Sequence, residues 1–217
     1  LSLVLTVYLW LNRTAKGGRV LLFLVTAITA WSFLYATEIG VDSQAAMVSI
    51  AKVEYLSILS ISPLWLIFSL EYTDFKHKLY PKYWYILFIL PLIILLFNWT
   101  NELHHLHWSS INTERVQDVT YLVLEYGPVY WINAIYAYLL TFTGSGLLIA
   151  RAFRSRGDNF GSAMLLGIGA LIPILTNIVS VAKWFPNPHF DLTPIGLALS
   201  MIVLAIAIFR YKILDVI

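Results

Sequence analysis

The sequence predicts an all-α membrane protein: a seven-transmembrane helix bundle, N-terminus outside, C-terminus cytoplasmic, with its first helix truncated. Three observations predict it. The first is composition: of 217 residues, 59% are hydrophobic and 12% charged, and mean hydropathy is +0.77. Soluble domains are nearer half apolar and a quarter charged. The second is a series of apolar stretches suited to a hydrocarbon core roughly 30 Å thick. The third is the placement of cations. Arg13, Lys16 and Arg19, then Lys76, Lys78 and Lys82, then Arg151, Arg154 and Arg156, then Arg210 and Lys212 occupy alternate polar breaks. The other breaks carry only Lys52, Arg115 and Lys183. Lys and Arg collect on the cytoplasmic side of membranes, so the first set faces the cytoplasm. A soluble bundle with buried apolar helices would not sort its charges this way.

The elements follow in order. Leu1 to Leu11 is apolar but too short to cross, and reads as the trimmed end of a longer first span. The second span covers Val20 to Ile39, the third Val53 to Leu70 and the fourth Tyr83 to Asn98. The fifth covers Pro128 to Ala150, the sixth Gly161 to Val181 and the seventh Leu192 to Phe209. Pro63, Pro91 and Pro173 fall inside the third, fourth and sixth spans. Each frees a backbone carbonyl and kinks its helix, which membrane helices tolerate when a neighbour re-satisfies the group. Asn177, one turn beyond Pro173, is placed to take the carbonyl freed there.

The segment from Asn98 to Gly127 is the one long outer break, and its run Val119-Thr-Tyr-Leu-Val-Leu predicts a short hairpin over the bundle mouth. The seventh span is the best marked. Its apolar run reaches roughly 27 Å at about 1.5 Å per residue. Asp191, Thr193 and Pro194 form its entry, since Thr or Asp accepts first-turn N–H groups and Pro needs none there. Its exit is Phe209-Arg210-Tyr211-Lys212, aromatics at the interface and cations beyond.

These residues together resemble the N-terminal seven-helix sensor region of prokaryotic membrane histidine kinases. The resemblance rests on Trp31 with Glu38, on Pro63 followed by Phe68-Ser-Leu-Glu-Tyr72-Thr, and on Pro91. It continues through Thr100-Asn101, His104-His105-Leu106 and Trp108, Gly127, Pro173, Asp191-Leu-Thr193-Pro194 and the exit through Asp215. It covers nearly all of the chain. It implies that residues 1–217 are one transmembrane sensor domain, itself non-catalytic, in the cell membrane of a bacterium or archaeon. It also implies a kinase module beyond the seventh span and a homodimer of the intact protein. It names no ligand.

Candidate site residues come from the outer halves of the spans. Trp31, Tyr35 and Glu38 repeat at i, i+4, i+7 and share one helix face. Glu54 and Tyr55 open the third span. Tyr130, Trp131 and Asn133 open the fifth, with Asn133 on the face of Tyr130. Ionisable and amide groups in a membrane helix face the bundle interior or water, and an aromatic cup with a few convergent polar groups is the usual form of a small-molecule site. An interfacial belt with interhelical hydrogen bonds accounts for the same residues. His104, His105, His107 and His189 are weak candidates for a metal, because His-His-x-His is not a helical i, i+4 pair and no Cys assists. Ordering of the loop accounts for them as well. Pro173, Asn177, Asp191, Thr193 and Pro194 are the candidates for signal transmission. Gly167 and Gly169 in the sixth span, with Gly196 and Ser200 in the seventh, let backbones approach closely.

Several classes are disfavoured. Net charge is +2, which leaves no nucleic-acid footprint. The chain has no Cys, which removes disulfide scaffolds and thiolate metal sites, and no cofactor is implied. The seventh span has no Lys for a retinal Schiff base. An intramembrane enzyme would gather His, Asp and Glu, or a Ser with a base, within the spans. A small-solute transporter would show repeats or paired broken helices. The expected partners are therefore the lipid bilayer, an unknown small ligand and a second copy of the protein.

Overall fold

The computed structural model describes residues 2–11, 13–14, 17–73, 81–154, 158–185 and 190–211. Helices α1 (Ser2–Leu11), α2 (Gly18–Ile39) and α3 (Gln44–Tyr72) are followed by a 3-10 helix, Pro81–Phe88, that runs into α4 (Ile89–Trp99). A 3-10 turn, Asn101–Leu103, leads to an antiparallel hairpin of β1 (Trp108–Val116) and β2 (Val119–Tyr126). Helices α5 (Pro128–Arg154), α6 (Asp158–Gly169), α7 (Ile172–Val181) and α8 (Thr193–Tyr211) complete the described fold.

Among the described residues, five stretches are long and apolar enough to cross a membrane: Gly18–Ile39, Gln44–Tyr72, Pro128–Arg154, Phe160–Val181 and Thr193–Arg210. The shorter apolar helical stretch Tyr83–Trp99 adds a further segment of the same character. Hydroxyls in these helices bond back one turn rather than remain bare in an apolar environment. In α2, Thr26, Thr29 and Ser32 donate to the carbonyls of Leu22, Val25 and Ile28 at 2.8 to 2.9 Å. Large side chains such as Phe33, Leu96, Ile135, Leu139 and Leu175 point outward, as a lipid-facing surface requires.

Among the described residues three apolar clusters hold the bundle, the smallest of them Leu66, Leu70 and Leu140 between α3 and α5; the two larger ones frame the site. One joins α1, α2, α3, α5, α6 and α8 through Leu9, Leu21, Val25, Phe68, Leu148, Leu166 and Met201. The other lies under the hairpin and joins Tyr55, Ile94, Trp108 and Val129. The ends of the bundle differ in chemistry. At one end the Arg151 guanidinium lies over the Tyr72 ring, 5.5 Å from its centroid. There the Tyr72 hydroxyl meets the Ser162 hydroxyl at 2.9 Å, and Tyr8 packs on Phe209 at 4.9 Å between centroids. At the other end the hairpin is tied to the α2–α3 connection. Thr120 donates to Asp42 at 2.8 Å, and Gln44 donates to the Ile111 carbonyl at 2.9 Å. Helix α8 therefore begins at the hairpin end and finishes at the end that holds Arg151.

The structure alters three expected boundaries. The third span starts at Gln44, not Val53. Lys52, which marked a polar break, lies inside α3, where its aliphatic stem lets the ammonium reach the Trp99 carbonyl at 2.9 Å and the Glu102 carboxylate. The fourth span opens as 3-10 helix, so Pro91 sits in the first turn of α4 rather than mid-helix. The sixth span is broken at Ala170–Leu171, with Pro173 in the first turn of α7.

The prolines also show where freed carbonyls go. The carbonyl four residues before Pro91 is that of Leu87, and it accepts the Tyr136 hydroxyl from α5 at 2.8 Å. The carbonyl four residues before Pro173 is that of Gly169, and it accepts the Ser200 hydroxyl from α8 at 2.6 Å. Asn177 does not take that role, because its amide is engaged elsewhere. In both places a hydroxyl from a neighbouring helix replaces the missing amide donor. Helix α3 stays continuous through Pro63.

Candidate functional site

A cavity of about 250 Å³ lies beneath the hairpin, between α2, α3, α5, α7 and the start of α8. Helical spacing explains what enters it. On α2, the residues Trp31, Tyr35 and Glu38 fall on one face and all three line it. On α3, Glu54 and Tyr55 line it together with Ala51 and Ile58, one turn on either side. On α5, Tyr130 and Asn133 continue one and two turns later into Ala134, Ala137, Tyr138 and Thr141. Strand β2 roofs the space with Leu122, Leu124 and Tyr126, and the Tyr126 ring stacks on Tyr130 at 3.7 Å between centroids.

Seven of the eight residues expected to bind ligand line this cavity. Trp131 does not. It is 47% exposed and meets Tyr130 and Tyr126 edge-on, because adjacent helix positions point about 100° apart. Residues that the sequence reading left out are Tyr126, Tyr138, Ser180 and Phe190. Tyr138 continues the Tyr130 face and was recoverable from spacing. Tyr126 and Phe190 come from a strand and a connection, where no helical period points to them.

A chain of hydrogen bonds links four helices around the cavity. The Tyr138 hydroxyl of α5 donates to Asn177 Oδ1 of α7 at 2.6 Å, and Asn177 Nδ2 donates to the Thr193 hydroxyl at 3.1 Å. Thr193 donates to Asp191 Oδ1 through its hydroxyl at 2.6 Å and its backbone N–H at 2.8 Å. The Asp191 backbone N–H donates to the Tyr35 hydroxyl of α2 at 2.9 Å, and the Leu192 N–H donates to the Ser180 hydroxyl at 2.8 Å. The entry of α8 is thus capped by the preceding Asp191 and hydrogen-bonded to both α2 and α7. Among the transmission candidates, Pro173, Asn177, Asp191 and Thr193 line the cavity, and Pro194 continues the first turn of α8 outside it.

The acidic groups are buried. Glu38 and Glu54 are 8% and 5% exposed, and Glu54 Oε1 has no hydrogen-bond partner. Glu38, Glu54 and Asp191 act on one another electrostatically across the cavity. Burial and the charge of Asp191 push the Tyr126 phenol above its ordinary range.

The hairpin is held by a clamp of its own. Asn101, fully buried, accepts the N–H groups of His107 and Trp108 at 3.0 and 2.9 Å and donates to the Trp108 carbonyl at 3.0 Å. Gly127 closes it: its N–H bonds the His107 carbonyl at 2.9 Å, and a Cβ there would overlap the Leu106 carbonyl. His104 Nδ1 accepts the Leu106 N–H at 3.0 Å, and its Nε2 lies 3.2 Å from the Thr100 hydroxyl. His107 is fully buried against Tyr55, at 4.5 Å between centroids. Burial pushes its imidazole down to about 4, and His104 acts in the same direction. Among the described residues no three His, Cys, Asp or Glu side chains gather closely enough to hold a metal ion. His189 lies outside the described residues. In the same clamp, a hydrogen bond from Lys52 holds the Glu102 carboxyl below its ordinary range.

A family model described as the N-terminal 7TM region of histidine kinase matches residues 1–217. The chain belongs to that family. It is a multi-pass membrane protein of the sensor region of histidine kinases, and so a component of signal transduction. No curated protein and no solved structure matches the chain.

Proposed function

We propose that this chain senses a small molecule in the cavity beneath the hairpin and passes the event through α8 to a cytoplasmic histidine kinase. The observation that carries this reading is the capped entry of α8. Asp191 and Thr193 line the cavity and are hydrogen-bonded to α2 and α7. An occupant that prefers one arrangement of these groups biases the position of the helix that leaves toward the basic end. Only such a difference in affinity shifts a two-state equilibrium.

In this reading residues 1–217 form one non-catalytic sensor domain with seven crossings. Helices α6 and α7 together make one crossing, and the 3-10 helix with α4 makes another. The hairpin faces outward and the end bearing Arg151 and Arg210 faces the cytoplasm, in the cell membrane of a bacterium or archaeon. The sorting of cations supports that orientation. A homodimer of the intact protein conveys the signal.

The test is the autophosphorylation rate of the full-length protein in lipid nanodiscs. Ala134→Phe fills the cavity from α5, and Thr193→Val cuts the link between Asn177 and Asp191. Each is expected to change basal output at least threefold while expression and thermal stability stay close to wild type. Stable variants with wild-type output would remove the sensing role of the cavity.

A further inference from the structure

The proposal above leaves the ligand's chemistry open; the inference here rests on that reading and deepens it. Among the described residues, the cavity lining carries three carboxyl groups, Glu38, Glu54 and Asp191, against one cation, the exposed Lys183. Asp191 is occupied by the α8 entry through Oδ1. Glu54 is only partly so: it is 5% exposed and lines the cavity, its carboxyl interacts with Trp31 and Glu38, and its Oε1 has no hydrogen-bond partner. A buried carboxyl oxygen left bare in an apolar site is costly unless a donor or a positive charge meets it. The remaining wall is aromatic, with Trp31, Tyr35, Tyr55 and Tyr130 around the same space.

From these facts we infer that the cavity binds a small organic cation, an amine or quaternary ammonium, with its positive charge at Glu54 and Glu38 and its alkyl groups against the aromatic rings. Aromatic faces attract cations most strongly when desolvated, and Trp31, Tyr55 and Tyr130 are buried. A metal ion fits less well, because among the described residues no three carboxyl or imidazole groups gather to hold one and no imidazole lines the cavity. An anion would be repelled by the same groups. The volume of about 250 Å³ lies below the roughly 300–1,000 Å³ of sites for drug-sized ligands, so the occupant is compact.

The experiment uses the full-length protein in nanodiscs of zwitterionic lipid, with binding followed by intrinsic tryptophan fluorescence. The probes are choline, benzyltrimethylammonium, the uncharged choline isostere 3,3-dimethylbutan-1-ol, and benzenesulfonate. Both cations are expected to bind at least tenfold more tightly than the isostere, and benzenesulfonate not at all. Glu54→Gln keeps the shape of the side chain. It is expected to weaken both cations at least tenfold while leaving the affinity of the isostere within twofold, which also reports that the variant is folded. Equal binding of isostere and cation, tighter binding of the sulfonate, cation binding indifferent to Glu54→Gln, or no cation binding up to about 10 mM would each overturn the inference. None of these outcomes touches the sensing role itself, which falls only if stable cavity variants such as Ala134→Phe leave kinase output unchanged.

Discussion

The hairpin clamp and the α7–α8 junction sit on either side of the same cavity and are built in opposite ways. The clamp is short-range and over-determined. Asn101 makes three hydrogen bonds with the backbone of His107 and Trp108, and Gly127 brings two backbone segments too close for any side chain. The junction relies on single side-chain bonds between helices, from Tyr138 to Asn177 to Thr193 and from Ser200 to Gly169. Glycine again allows the approach, since a Cβ on Gly196 would overlap Thr176. A region fixed by backbone geometry has one arrangement. A region joined by exchangeable side-chain bonds next to a broken helix can hold two of similar energy. In the proposed mechanism the fixed side provides the frame, and the exchangeable side carries the displacement.

The comparison is broken most sharply at Gly127. Gly127→Ala drives a methyl group into the Leu106 carbonyl and displaces the bonds from Gly127 to His107 and from Val129 to Leu106. A loss of about 3 kcal/mol or more is expected from this mechanism. Thermal unfolding in one fixed detergent checks it. A loss under about 1 kcal/mol, within the ordinary scatter of point substitutions, would show that the clamp yields and that the two regions do not differ in kind.

The sequence made parts of this legible and hid others for identifiable reasons. Helical period alone placed Trp31, Tyr35 and Glu38 on one face, and they share the cavity. Period could not choose between Tyr130 and Trp131, since both are aromatic and only the rotation of α5 in the bundle decides. Asn133 was the clue, because a polar group on the Tyr130 face needs an interior. Lys52 concealed the first two turns of α3, because a charge reads as a break until a partner such as Glu102 is known. Pro173 announced a freed carbonyl, but its partner Ser200 lies on another helix, and helix adjacency is not written in local pattern. The hairpin was visible in the run from Val119 to Leu124, whereas its clamp through Asn101 depends on a fold-back that no period encodes.

A second prediction sharpens the contrast through pH. The imidazole of His107 is depressed to about 4 from an unperturbed value near 6.5. Between these limits the unfolded chain binds the proton and the folded chain does not, so stability rises with pH. The contribution is present in full above about pH 6.5 and is lost progressively as pH falls toward 4. The slope attributable to this group is at most about 1.4 kcal/mol per pH unit. His107→Asn should flatten the stability profile across that window. An unchanged profile would place the acid sensitivity elsewhere.

The smallest expected effect is the most informative about the junction. Ser200→Ala leaves the Gly169 carbonyl without its donor from α8, and interhelical bonds of this kind are worth about 0.6 kcal/mol on average in a membrane. Pro173→Ala returns an N–H to the position from which a regular helix would reach that same carbonyl. The two changes therefore compete for one acceptor and must not be additive. In the Pro173→Ala background, Ser200→Ala should cost less than in the wild type, and a double-mutant cycle reads the difference as a coupling between α7 and α8. Basal kinase output should move with that coupling, since Pro173→Ala lets α6 and α7 join and removes the reason for α8 to hold them. Additive stabilities would mean that the bond from Ser200 stands alone, and that the break at Ala170–Leu171 owes nothing to the helix beside it.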